Sequence, residues 1–123
     1  VDFYFVNVNP SHYITTNKVS YPRQVNYEPS DGPSVEKEYP ALLFRNSEVF
    51  VNHQFTDGRE KTVLFGFKFT NPQTGETVMQ DRSGWYKPKG HGYVFYFHPG
   101  HTVEDFYKDP YCQIILNSLT WKP

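Results

Sequence analysis

Long apolar runs, cysteine and charge of one sign are all scarce in this chain, and each scarcity removes a class of function. No apolar stretch approaches the roughly 20 residues of a membrane-spanning helix, so no membrane partner is expected. The residues from Val1 onward carry no signal-peptide pattern. The single cysteine, Cys112, excludes an internal disulfide framework and leaves the compartment open, with the cytoplasm slightly favoured. Lys and Arg number 12 against 13 Asp and Glu, a net charge of -1. They are scattered rather than striped, which argues against nucleic acid as a partner. The chain also opens at Val1 rather than at a methionine, directly in a strand-like run. That beginning is expected of a processed chain, an excised domain or a piece of a longer protein.

What is abundant is aromatic: 11 Phe, 10 Tyr and 2 Trp make up 19% of 123 residues. The length suits one domain, residues 1–123, with a real core. Large rings can fill a β-rich core with few residues, and the same rings suit the apolar C–H faces of sugars. Residues 1–8 alternate around Phe3 and Phe5 and read as a strand. The Pro-punctuated stretch from Ile14 to Pro40 gives weak signals, with an exposed loop expected over 27–34. Residues 41–51 read as one or two short strands bent at Arg45-Asn46-Ser47. Residues 61–70 alternate through Val63, Phe65, Phe67 and Phe69, with Gly66 marking a bulge or a close backbone approach. Asn71 to Gly75 is a hairpin connection. A Gly/Lys/Pro turn over 87–92 then feeds Tyr93 to Phe97, whose near-continuous apolarity suggests a strand buried on both faces.

The C-terminal residues read as helical. Thr102-Val103-Glu104-Asp105 fits a capping pattern with acids in the first turn. Pro110, behind an Asp109 cap, suits the first turn of a further helix. Cys112, Ile115, Leu116 and Leu119 recur at helical spacing, so Cys112 is expected to be a buried core thiol.

Between strand and helix lies His98-Pro99-Gly100-His101. Pro99 fixes one dihedral and Gly100 permits a tight path, so two imidazoles are held beside a strand tip. Imidazole exchanges protons near neutral pH, and backbone N–H groups at the helix start could meet a developing oxyanion. The same histidines could equally cap the helix or bond local carbonyls. A metal site joined by His12 and His53 is a third option, but no tight ligand spacing such as HxxxH supports it, and neither metal nor cofactor is expected. His53 and His91 read as strand-end and turn residues.

These residues carry a resemblance. Trp85, Gly90-His91-Gly92, the aromatic run Tyr93 to Phe97, Gly100-His101-Thr102, Phe106, Asp109-Pro110 and Trp121 follow the order in which a ThuA-like (trehalose-utilisation) domain closes. Upstream, residues 9–15 resemble the family's His-Pro-Ile-Thr entry motif, with Tyr13 replacing Pro. Ser47-Glu48-Val49-Phe50 resembles its Asp-Glu-x-Tyr/Phe segment.

The resemblance implies an α/β chain, the C-terminal part of a flavodoxin-like (class I glutamine amidotransferase-like) domain, strand-rich with a C-terminal helix. Several βα units would then precede Val1, or a partner chain or homo-oligomer would complete the sheet. His98-Pro99 looks like the His-Pro of true amidotransferases, but Gly100 stands where they carry Glu. No Gly-x-Cys-x-Gly elbow occurs, so a Cys–His glutaminase mechanism is unsupported.

The implied function is carbohydrate-related, acting on a sugar or keto-sugar in saccharide catabolism. His101 is the leading general acid/base, assisted by His98. Glu48 would orient hydroxyls or an imidazole, and Trp85 and His12 would contact the substrate. The alternative is a non-catalytic carbohydrate- or protein-binding module that retains the fold.

Overall fold

The computed structural model describes residues 1–30, 35–51 and 60–123. In chain order the elements are β1 (Phe3–Asn7), α1 (Tyr13–Thr16), β2 (Arg23–Tyr27), β3 (Lys37–Phe44), β4 (Thr62–Thr70), β5 (Thr77–Lys89) and β6 (Gly92–Phe97). A 3₁₀ turn (Val103–Tyr107) and α2 (Asp109–Thr120) follow. The strands form one six-stranded sheet in the order β2-β3-β1-β4-β5-β6, and every neighbouring pair is antiparallel.

The mixed α/β character and the C-terminal helix agree with the sequence. The sheet differs from a flavodoxin-like one, whose strands run parallel through helical crossovers. The reason lies in the connections. A parallel neighbour needs a crossover of a dozen or more residues, whereas a short turn can only reverse the chain. Asn71 to Glu76 joins β4 to β5 in one such turn. Asn71 Oδ1 accepts from Gln73 N at 2.9 Å, and Gly75 takes a φ of +75°. Only Gly90 and His91 separate β5 from β6, with Gly90 at φ +58°.

Alternation sorts the side chains to two faces. Phe3 and Phe5 from β1, Phe44 from β3 and Phe65 and Phe67 from β4 form the main core. The helices cover it with Ile14, Tyr111 and Ile114. Phe5 stacks on Phe65 at 4.0 Å between centroids and meets Tyr111 edge-on at 5.6 Å. Each fully buried ring of this kind contributes about 2 kcal/mol from the apolar surface it removes from water. Val6, Tyr27, Tyr39 and Ala41 make a smaller cluster on the opposite face.

Gly66 fulfils both of its expected roles. The register slips on either side of Phe65, and a Cβ at Gly66 would collide with the Tyr27 hydroxyl, which donates to the buried Asp81 at 2.6 Å.

Four expectations change. β6 is an edge strand, and its first residues Tyr93 and Val94 are well exposed; its aromatics lie along a rim instead of being buried on both faces. The one or two short strands expected over 41–51 are a single strand, β3, which begins earlier and stops at Phe44, where Asn46 turns the chain at φ +52°. α2 is rotated from the expected phase. Tyr111, Ile114, Asn117 and Ser118 face inward, while Leu116 and Leu119 are exposed. Cys112 is therefore exposed, with its thiol directed at the Phe106 carbonyl at 2.9 Å. Finally, Asp109 is the first residue of α2 and Lys108 holds the cap position.

Candidate functional site

The end of β6 opens into a cleft of about 340 Å³ lined by Glu48, Phe50, His98, His101 and Phe106, among others. His98 leaves the sheet tethered: its N–H donates to the Ser83 carbonyl at 2.8 Å. Its Nδ1 lies 3.1 Å from Ser83 Oγ. Its ring stacks on Phe3 at 5.1 Å and tilts against Phe50 at 5.2 Å. This histidine is a half-buried floor element, fixed in orientation.

Pro99 is buried, and its carbonyl accepts from the Tyr111 hydroxyl at 2.6 Å. Burial, reinforced by the Asp105 charge, pushes the Tyr111 phenol well above its ordinary value. The donor in this bond therefore keeps its proton at any physiological pH.

The organiser of the cleft is Asp105, 2% exposed. Its Oδ2 accepts from Ser47 Oγ at 2.7 Å, Gly100 N at 3.1 Å and His101 N at 3.0 Å. Three donors on one buried carboxylate oxygen draw the loop after β3 and the loop after β6 together. Ser47 is anchored from its other side by a reciprocal backbone pair with Val1, at 2.7 and 2.8 Å. At Gly100 a Cβ would press on the Phe106 ring at 3.2 Å, so a larger residue here would have to push that ring aside.

This clamp brings Glu48 and His101 together. Glu48 Oε2 lies 3.0 Å from His101 Nδ1, with each side chain half exposed. A carboxylate on Nδ1 fixes the tautomer: the proton sits on Nδ1 and Nε2 carries the lone pair. Among the described residues nothing hydrogen-bonds His101 Nε2. The pair can therefore accept a proton at Nε2 while the carboxylate stabilises the resulting imidazolium.

The other expected site residues lie elsewhere. Trp85 pairs across the ladder with Tyr96, stacking at 5.4 Å, on the face opposite Tyr86 and the main core. Lys61 and Lys87 flank its ring at 5.5 and 5.7 Å. His12 caps α1: its Nδ1 accepts from Ile14 N at 3.0 Å, and its Nε2 meets Tyr86 Oη at 3.0 Å. Burial lowers its pKa from 6.5. Neither residue lines the cleft. His53, and residues 31–34 of the expected loop, lie outside the described residues. His91 sits exposed in the β5–β6 turn.

Asp105 and Ser47 went unrecognised in the sequence. Asp105 reads as a first-turn acid, yet it folds back on the two residues just before its own turn. The available signal was an aspartate four positions after a Gly-His pair, a spacing that lets a carboxylate collect the backbone N–H groups ahead of it. Among the described residues, no group of three or more His, Cys, Asp or Glu comes together to hold a metal ion. No helix there is long and apolar enough to cross a membrane. No family model, curated protein or solved structure matches the chain.

Proposed function

We propose that this chain is a carbohydrate-related protein of ThuA-like character that acts on a sugar or keto-sugar, with Glu48 and His101 as its proton-transfer pair. The observation that carries this reading is the 3.0 Å contact between Glu48 Oε2 and His101 Nδ1 at the cleft mouth. His101 Nε2 would take a proton from a sugar hydroxyl, or from the carbon beside a keto group, and return it later in the reaction. Glu48 would hold the imidazole upright and balance its transient charge, while His98, held by Ser83, would shape the floor.

Phe50 and Phe106, 51% and 44% exposed, offer apolar walls to the C–H faces of a ring. A cleft of about 340 Å³ lies toward the small end of ligand sites and suits a single sugar ring. The ThuA-like affiliation rests on the ordered motif from Trp85 to Trp121. The exposed β6 edge supports the expectation of a homo-oligomer or of a partner chain that extends the sheet.

Turnover of a 3-keto-disaccharide tests the reading. His101→Ala is expected to lower the rate by about 100-fold or more, the usual share of a general acid/base, with the melting temperature unchanged. Unaltered turnover in that variant would remove the assignment. The exposed Phe50 and Phe106 also favour a second reading, a binding module without chemistry. In that case sugar would bind with no product formed, binding would survive His101→Ala, and Phe50→Ala would abolish it.

A further inference from the structure

A second opening, of about 510 Å³, lies between the β2–β3 edge and the start of α2, lined by Arg23, Leu42, Leu43, Arg45, Lys108 and Pro110 among others. Its charge is anomalous. The chain as a whole carries -1, yet among the described residues three cationic side chains and no carboxylate line this cleft. Among the described residues, no ion pair joins Arg23, Arg45 or Lys108 to an acidic group.

Asp2 shares the adjoining groove with Arg23 and Arg45, but it forms no ion pair with them and accepts from Asn46 N at 2.9 Å. Asp109, beside Lys108 in the chain, is not part of the lining. Like charges gathered in one concavity repel one another unless an anion enters, and a low-dielectric wall focuses their field.

The backbone that carries the two arginines is fixed, and the lysine stem is packed. Arg23 is the first residue of β2 and pairs with Ala41. Arg45 directly follows β3 and precedes Asn46, whose backbone Asp2 fixes. Lys108 lies over the Phe44 ring with Nζ 5.6 Å from its centre, so its stem is ordered before any ligand arrives. Guanidinium groups match the oxygens of phosphate in a forked geometry that an ammonium cannot reproduce. Leu42, Leu43 and Pro110 add an apolar wall beside the charges.

We propose that this cleft binds a phosphorylated small molecule, with its phosphate between Arg23, Arg45 and Lys108 and its organic part along the leucine and proline wall. The site is separate from the Glu48–His101 cleft, and its test does not depend on any activity there.

Calorimetric titration of the chain with glucose 6-phosphate, phenyl phosphate, inorganic phosphate and glucose would examine it. The expected result is saturable binding of at least one of the two esters, tighter than inorganic phosphate, whereas any glucose binding belongs to the Glu48–His101 cleft and is indifferent to Arg23 and Arg45. Raising salt to about 0.5 M should weaken binding, since exposed charges are then largely screened. Arg23→Gln combined with Arg45→Gln is expected to weaken binding by about tenfold or more. Lys108→Gln should weaken it less, and Lys89→Gln at the end of β5, toward the opposite edge of the sheet, should leave it unchanged. All these side chains are at least partly exposed, so the variants should melt like the parent. Absence of saturable binding by every phosphate probe would overturn the proposal, as would affinity indifferent to the double variant. Inorganic phosphate binding as tightly as the esters would overturn the role given to the apolar wall.

Discussion

Two imidazoles stand at the starts of helical segments, His12 before α1 and His101 before the 3₁₀ turn, and their surroundings are opposite. The ring of His12 is consumed. Nδ1 accepts the Ile14 N–H, so the ring proton must be on Nε2, which donates to Tyr86 Oη, and Trp121 tilts against the ring at 5.4 Å. The ring of His101 makes one bond, to Glu48, and stays half exposed. His12 is a candidate from the motif resemblance alone, whereas His101 is one from its place at a strand tip as well. The lesson is that an imidazole is available for chemistry when one nitrogen is fixed and the other left open. When both nitrogens are spent on the fold, the imidazole is part of the framework.

The contrast can be broken most directly at Asp105. Asp105→Ala leaves Ser47 Oγ and the N–H groups of Gly100 and His101 without their acceptor. It is expected to destabilise the chain by about 3 kcal/mol, a drop of roughly 10 °C in Tm, and to abolish any turnover. Calorimetry that showed the variant melting with the parent would mean that the cleft is held by other contacts.

At the opposite end, His12→Ala removes a helix cap and should cost about 1 kcal/mol, read by urea unfolding, with turnover preserved. The same ring sets a pH dependence. Its folded pKa lies below the unfolded value of 6.5, so the unfolded chain binds the extra proton more readily. The stability it contributes is therefore fully present above pH 6.5 and lost as pH falls from there through the lowered folded value. Unfolding midpoints measured from pH 7.5 down to 5 should fall in the parent and fall less in His12→Asn, which keeps a capping side chain but cannot titrate. Equal slopes would detach the effect from His12.

Ser47→Ala deletes one donor to Asp105 and should destabilise by about 1 kcal/mol, while reducing turnover through a looser Glu48. His101→Ala marks the smallest effect on stability, within about 0.5 kcal/mol as for a surface change, despite the largest expected loss of rate. Were it to destabilise as much as His12→Ala, the distinction between the two histidines would collapse.

Much of the sheet was legible because its strongest signals are local. Phe3 and Phe5 alternate in β1, the aromatics of β4 do the same, and Asn71 to Gly75 carries the chemistry of its own turn. β2 was not, because Arg23, Gln24 and Asn26 are exposed on an edge strand and leave no apolar period to detect. β6 misled for the converse reason. An unbroken aromatic run can line a sheet rim as well as its centre, and only pairing partners separate the two.

The helix phase in α2 depended on which of two adjacent apolar sets won. The fully buried Tyr111, which reaches the Pro99 carbonyl, and Ile114 outweigh Leu116 and Leu119. The turn bearing His98 and His101 could be found from its residues, and so could Glu48 from its segment. The carboxylate that joins them was only half legible: its Gly100 and His101 partners are local, but Ser47 lies 58 positions away.

That separation has a kinetic meaning. Ser47 and Asp105 are 58 positions apart along the chain, whereas the His12 cap reaches only two residues ahead. Closing a long loop costs entropy that a local contact does not incur. The cap at α1 can therefore form in a short stretch of chain, while the oxygen that shapes the cleft meets Ser47 only after β3 and the end of β6 have been assembled. The cleft thus exists only once the sheet is assembled, and anything that binds it selects completed molecules. By mass action, such a ligand would raise the stability of the whole chain and not of the loop alone.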